Sequence, residues 1–439
     1  MKSPLNRRQF VSRSATASAA VATFSILPAV RGQDSPGNRI VAGVIGLSRG
    51  MAHVAGHLAV KGVEVGYVCD VDTRRAAGGA KRVTDTVATK QLQQPAVKAV
   101  DDFRRILDDK QVDIVSIAMP NFWHTPAAIL AMQAGKHVYV EKPGSHNCRE
   151  TELIVAAAIK YKRKVQMGNQ RRSYPLVIEG IQRLRAGDIG PVRYSRSYYS
   201  GGRPSINKGK PAPVPEWLNW ELWQGPTPER PFKDNLLHYN WHWHWHYGGG
   251  ELANNGIHAL DVCRWGLGVD FPRRVSFVGG RYHHADDQET PDTGAAVFDF
   301  GHCGVSWDVS SCNPRKGEKG DALPFVSFYG DKGSMTMSGG NEYTIYDLNG
   351  KPIDKEKKSA PASDVPHFQN LADAIREDKK LNSDIADVQK GSLMCHLGNI
   401  AYRTGHTLEI DPKNGHILND PAAEKLWARE YRPGWEPKV

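Results

Sequence analysis

Residues 39–50, Arg39-Ile40-Val41-Ala42-Gly43-Val44-Ile45-Gly46-Leu47-Ser48-Arg49-Gly50, decide the fold. A β-rich apolar strand runs directly into a glycine-bearing turn, and the segment after Gly50 is compatible with a helix. Such a turn is a pyrophosphate site. The glycine lets the backbone approach the phosphates, while the helix behind it aims unpaired N–H groups and its positive dipole end at them. Gly46, Ser48, Arg49 and Gly50 are therefore cofactor-binding candidates. In G-x-G-x-x-G register the three positions are Gly46, Ser48 and Met51, so only the first glycine is present. A second strand, Val63 to Cys69, ends in Asp70, 24 residues beyond Gly46, where a carboxylate accepts the ribose hydroxyl protons. That carboxylate repels a 2′-phosphate, so NAD is expected over NADP.

Strand and helix continue to alternate. Val112 to Ala118 is a nearly continuous apolar run of the kind buried in a parallel sheet, Thr125 to Ala134 reads as a helix, and His137 to Val140 as the fifth strand. In open sheets of this kind, ligands meet the carboxyl ends of the strands. Those ends carry Pro120-Asn121 with His124, and Glu141-Lys142-Pro143. Pro143 fixes its own φ and disfavours helix at Lys142, which ends the strand and aims the lysine out of the sheet.

The chain has 439 residues and is 40% hydrophobic, enough for two or three domains and a sizeable core. Residues 1–37 differ in kind. Arg7-Arg8 precedes Gln9-Phe10-Val11 and an uncharged Ala/Ser/Thr-rich run from Ser14 to Val30, which reads as a twin-arginine export leader. Cleavage between Ala29 and Pro36 is expected, giving a periplasmic protein, with retention as a membrane tether as the alternative. Export in the folded state lets a tightly held cofactor, loaded beforehand, travel with the protein. The formal net charge is +10, but Lys2, Arg7, Arg8, Arg13 and Arg31 of the leader supply much of it. With no Lys/Arg stripe interleaved with aromatics, nucleic acid is not an expected partner. Six cysteines without CxxC spacing favour neither a metal knuckle nor a disulfide scaffold.

Gly135-Lys136-His137-Val138-Tyr139-Val140-Glu141-Lys142-Pro143, preceded by Pro120-Asn121-Phe122-Trp123-His124, resembles the Gfo/Idh/MocA oxidoreductases. Gly248-Gly249-Gly250 with Gly256-x-His258-x-x-Asp261 resembles the second catalytic motif of that family, and Ala374 to Asn399 resembles a branch with exported members. The resemblance implies a Rossmann domain (38–163), an α/β substrate domain with a large open, mostly antiparallel sheet used for oligomerisation (164–410), and a tail (411–439) packed on the body. It implies Lys142 and His258 as the catalytic pair, with Asn121, His124 and Glu141 along the nicotinamide riboside. A dimer or tetramer is expected. Asn254 stands where the family usually has Asp, and Ser48 replaces the second fingerprint glycine.

The second half reads as a mixed α+β domain, with strand-like stretches at Arg274 to Val278, Ala295 to Phe300, Val305 to Ser310 and Phe325 to Phe328. If Glu251 to Trp265 is a helix, Asn254 and His258 share one face directed at Lys142, and Asp261 and Arg264 anchor it a turn later. The run Trp241-His242-Trp243-His244-Trp245-His246-Tyr247, if extended, puts three histidines on one face and aromatics on the other. It reads as a substrate loop in which indole faces meet a sugar ring and imidazoles meet its hydroxyls. A structural aromatic cluster is the alternative, and a metal site is not expected. Arg171 and Arg172 are placed near the crevice to meet a carboxylate or sugar hydroxyls.

These residues point to hydride transfer between a sugar or cyclic-polyol carbinol and nicotinamide. His258 takes the hydroxyl proton while Lys142 stabilises developing alkoxide charge. The alternatives are a redox-assisted glycoside hydrolase or lyase with retained NAD, and a non-catalytic nucleotide-bound sugar sensor.

Overall fold

Every residue of strand β1 (Ile40–Ile45) is buried, as a parallel strand covered on both faces requires. The computed structural model describes residues 39–315, 323–354 and 358–439; the leader expected over 1–37 lies outside them. β1 pairs in parallel with β2 (Val63–Cys69) and β4 (Ile114–Ile117). With β3 (Lys98–Val100), β5 (His137–Val140) and β6 (Val165–Met167) they form a six-stranded parallel sheet in the order β3-β2-β1-β4-β5-β6. The chain order reverses between β1 and β4. In doubly wound sheets that switch point opens a crevice at the carboxyl ends of the strands.

Helices Gly50–His57, Thr73–Thr89, Asn121–Gln133 and Cys148–Tyr161 cross between these strands. The third begins one turn before the Thr125 start read from the sequence, because Pro120 presets its entry and Asn121 is already helical. Asp72 caps the second helix, accepting from the Arg74 backbone N–H at 3.0 Å.

The second sheet has nine strands in the order β14-β13-β12-β11-β7-β10-β9-β8-β15. They are β7 (Val192–Ser200), β8 (Arg274–Gly280), β9 (Thr293–Asp299), β10 (Gly304–Ser310), β11 (Val326–Gly330), β12 (Gly333–Met337), β13 (Asn341–Tyr346), β14 (Lys358–Ala360) and β15 (Leu408–Glu409). Only β7 and β10 pair in parallel, so the sheet is mixed and mostly antiparallel. One face buries Val305, Trp307, Phe328 and Met335, and the Ile257–Leu267 helix packs against β7, β10 and β11. Both sheets belong to one compact unit, Ile40–Val439. The chain's last residues lie across it: Arg429 and Tyr431 bond Glu150, at 3.0 and 2.7 Å, and Trp435 meets Trp123 edge-on.

Two local readings are corrected. The helix expected over Glu251 to Trp265 is present, beginning at Gly250, but a π-turn over Leu252–Gly256 interrupts it before the α-helix Ile257–Leu267. The Asn254 carbonyl is drawn off to the Lys142 ammonium at 2.7 Å, which favours the wider turn often found at functional sites. The Trp/His alternation does not form a strand. Asn240–Trp243 is a 3₁₀ turn, and the His244 carbonyl then accepts the N–H groups of Tyr247 and Gly248 at 2.9 and 2.8 Å. The chain curls, so the three histidines share no face. Among the described residues, no helix is long and apolar enough to cross a membrane.

Candidate active site

The carboxyl ends of β1, β2, β4 and β5 open onto one cleft of about 530 Å³, which Arg171, just after β6, and Tyr239, Asn254 and His258 also line. On the sheet side, Gly46 turns the chain at φ +83°, and a Cβ there would lie 2.5 Å from the Ala118 carbonyl oxygen. Only glycine fits both conditions. Ser48 has no positive φ, so its side chain stands where the fingerprint has glycine without backbone strain. Gly50 does not line the cleft. A Cβ on it would sit 3.1 Å from Val44 Cγ1, so this glycine sets the helix close against β1, the packing role of the last fingerprint glycine.

Asp70 closes the nucleotide wall. Its two oxygens accept from the backbone N–H groups of Leu47 and Asp72, at 2.8 and 2.9 Å. Burial raises its pKa above the usual carboxylate value, against those two bonds and the charge of Arg75. Each oxygen keeps a lone pair for a ribose hydroxyl. The Gly46 turn, the closely packed helix and this carboxylate fit a dinucleotide.

Beside them Glu141 is buried and fully engaged. It accepts from Arg49 Nε and His53 Nε2 at 3.0 Å each, and from the Lys142 backbone N–H at 3.1 Å. Burial opposes its ionisation, but the His53 bond and the charges of His53, Arg49 and Lys142 hold it well below the carboxylate range. Arg49 also reaches Asp364 at 2.8 Å. His124 lines the cleft with both ring nitrogens on backbone carbonyls, those of Pro143 and Met119, so it braces the β4 and β5 ends against each other. Asn121 begins the helix after β4 at the cleft wall.

Lys142 follows β5 immediately, and its peptide to Pro143 is cis. Its Nζ donates to the Asn254 carbonyl at 2.7 Å and to Asn254 Oδ1 at 3.1 Å. Asn254 Nδ2 in turn donates to Tyr239 Oη at 3.1 Å, which fixes the amide so that its oxygen faces the lysine. Burial, partly offset by Glu141, lowers the Lys142 pKa. Burial and the positive charges of Lys142 and Arg171 push His258 well below the ordinary histidine value. The imidazole is neutral near pH 7 and able to take a proton.

The remaining sequence candidates separate. Trp241 and His242 line the cleft, their rings stacked at 3.6 Å. Burial brings His242 to about 3. Trp243, expected at the substrate, does not line the cleft. It is buried beneath the Arg203 guanidinium, 4.7 Å from its ring centre, because the curled backbone turns it inward. Arg171 lines the cleft, whereas Arg172 is buried in ion pairs with Asp261 and Asp387 at 2.7 and 2.8 Å. Arg264 also reaches Asp387, at 2.6 Å, so these charges anchor the His258 helix. The sequence reading missed Tyr239, Asp364 and His53. Tyr239 adjoins the aromatic run and was within reach of that signal; Asp364 is brought in from 315 residues beyond Arg49. Among the described residues, no three His, Cys, Asp or Glu side chains form a metal-binding group.

Comparisons with known proteins agree with this architecture. Residues 40–169 match the NAD-binding Rossmann fold of the GFO/IDH/MocA oxidoreductase family, and residues 223–336 and 330–437 match two of its C-terminal domains. A glycosyl hydrolase family 109 protein from Saccharopolyspora erythraea is 33% identical over 174 residues, 36% of this chain and 38% of that protein. The matched region thus spans less than half of that relative. Two solved structures share the fold. Aldose-aldose oxidoreductase from Caulobacter crescentus, complexed with glycerol, has a TM-score of 0.62 and 20% identity, covering 85% of this chain and 100% of that one. The WlbA dehydrogenase from Bordetella pertussis, with NADH and UDP-GlcNAcA, has a TM-score of 0.61 and 17% identity, covering 85% of this chain and 99% of that one. The chain therefore carries the NAD-binding Rossmann domain and the C-terminal domains of the GFO/IDH/MocA oxidoreductase family.

Proposed function

We propose that this protein transfers a hydride between a carbinol carbon of a sugar or cyclic polyol and NAD, with Lys142 and His258 as the catalytic pair. The carrying observation is that Lys142, at the end of β5, is held by Asn254 at 2.7 and 3.1 Å in a cleft that His258 also lines. Bound NAD supplies the hydride acceptor. In the oxidation direction His258 takes the hydroxyl proton, and the Lys142 ammonium stabilises the charge that develops on the oxygen. In reduction the same groups polarise and protonate a ketone. Asn254 holds the Lys142 ammonium in place through two oxygen acceptors.

The test is absorbance of reduced nicotinamide after the purified protein is mixed with a panel of sugars and polyols. Appearance of the band in the wild type and its loss in Lys142→Ala support the reading; undiminished formation in that variant removes it. Retained dinucleotide with no turnover on any sugar identifies a sensor instead.

A second reading is favoured by the chain's relatives, which are glycosyl hydrolase family 109 proteins. Oxidation of one hydroxyl acidifies the neighbouring C–H, loss of that proton expels the aglycone from the next carbon, water adds to the resulting double bond, and the returned hydride restores the alcohol. The net reaction is hydrolysis with no change in cofactor redox state. Release of the aglycone without accumulated reduced nicotinamide selects this reading over net oxidation.

The same proposal includes export by the twin-arginine route with NAD already bound, supported by Arg7-Arg8 and the uncharged run behind them. Replacing both arginines by lysine is expected to leave the protein in the cytoplasm of a host that otherwise exports it. Assembly as a dimer or tetramer is expected from light scattering.

A further inference from the structure

Arg171 and Arg172 are consecutive and treated oppositely. Arg172 is neutralised by Asp261 and Asp387 and lies over Trp265. Among the described residues Arg171 forms no ion pair; Asp364 acts on it only through its charge. Arg171 is nevertheless pinned, its Nε donating to the Gly339 carbonyl at 2.7 Å and its guanidinium 4.5 Å from the Phe325 ring centre. The bond through Nε leaves the two terminal nitrogens as the free prongs of a fork, and Arg171 lines the cleft. The carboxylate whose charge reaches Arg171, Asp364, is already used: it pairs with Arg49 at 2.8 Å and accepts from Tyr174 Oη at 3.3 Å.

A partly buried arginine held in one orientation with no carboxylate bonded to it is a preorganised receptor for an oxyanion. Sheet order says which molecule brings the anion. The pyrophosphate turn follows β1, Lys142 follows β5, and Arg171 follows β6, one strand further from the turn than the lysine. The anion that meets Arg171 therefore lies on the substrate side of Lys142 and does not belong to the dinucleotide.

We propose that the substrate is an acidic sugar, a uronic or aldonic acid, whose carboxylate is bound by the terminal nitrogens of Arg171 while a separate carbinol faces Lys142 and His258. This rests on the sugar-carbinol reading and narrows it. Arg171 is then a specificity-determining residue, since the unpaired guanidinium favours an acid over its neutral counterpart in proportion to the charge-assisted bonds it forms.

The experiment is calorimetric binding to the NAD-loaded protein, with D-glucuronate and D-galacturonate against D-glucose and D-galactose, and D-glucose 6-phosphate as a second oxyanion. Wild type, Arg171→Gln and Arg171→Lys are compared, with released dinucleotide and unfolding midpoint confirming that each is folded. Expected is a preference for acid over neutral sugar on the order of 30-fold in the wild type, lost in Arg171→Gln and partly kept in Arg171→Lys. Equal binding of acid and neutral sugars overturns the proposal, as does failure of every acid to bind. Tighter, Arg171-dependent binding of the phosphate overturns the carboxylate assignment. Arg171-dependent binding of a uronate without turnover supports this inference and counts against the hydride-transfer reading. Turnover of neutral sugars with no acid preference does the reverse.

Discussion

The two walls of the cleft handle charge differently. On the nucleotide wall the acids are satisfied: Asp70 by two backbone N–H groups, and Glu141 by Arg49, His53 and a backbone N–H. On the substrate wall the cations rest on neutral acceptors, Lys142 on Asn254 and Arg171 on the Gly339 carbonyl, and His258 is uncharged. A saturated wall holds a cofactor in one register. An unsaturated one keeps charge and proton affinity for a group that arrives with the substrate.

The sharpest way to break this comparison is on the substrate wall. Lys142→Met is expected to lower the rate of hydride transfer by about 10³-fold or more, read from single-turnover absorbance, while the dinucleotide stays bound. His258→Asn is expected to cost about 10²-fold. The pH profile sharpens the assignment. Because the His258 pKa is lowered, its neutral form persists at acid pH, and the rate of oxidation should fall only below the ordinary histidine range. Because the Lys142 pKa is lowered, its ammonium is lost on the alkaline side before the ordinary lysine value is reached. His258→Asn should remove the acid limb and leave the alkaline one.

Smaller effects are expected on the nucleotide wall. Asp70→Asn keeps the side-chain shape but removes the charge that orients ribose hydroxyls and repels a 2′-phosphate. NAD affinity should fall and NADP discrimination weaken by about tenfold, measured by titration of the released and reloaded protein. The smallest effect is expected for Ser48→Gly, which restores the fingerprint residue at a position without positive φ. A change in NAD affinity above about threefold would show that the serine does more than fit there.

The nucleotide wall was the more legible of the two. The six buried residues of β1, the turn at Gly46 and Asp70 at the end of β2 are local patterns, set by neighbours in sequence and by what a covered parallel strand can contain. Lys142 and His258 were legible because each sits in a short motif beside a turn. The curl of Trp241 to Tyr247 was not. An alternation of large and small polarity reads as a strand, but the outcome depended on Glu289, whose carboxylate accepts the Trp245 N–H at 2.6 Å from 44 residues away. The opposite fates of Arg171 and Arg172 depended likewise on Asp261 and Asp387, positions no local period relates to them. The π-turn at Asn254 was hidden for the same reason, since its cause is a lysine 112 residues earlier.

Single-turnover formation of reduced nicotinamide, measured for wild type and Lys142→Met with the same bound NAD and the same sugar, tests the central claim most directly. The account predicts a rapid rise in the wild type and none on that timescale in the variant, with sugar binding retained in both. An equal rise in the variant would contradict it.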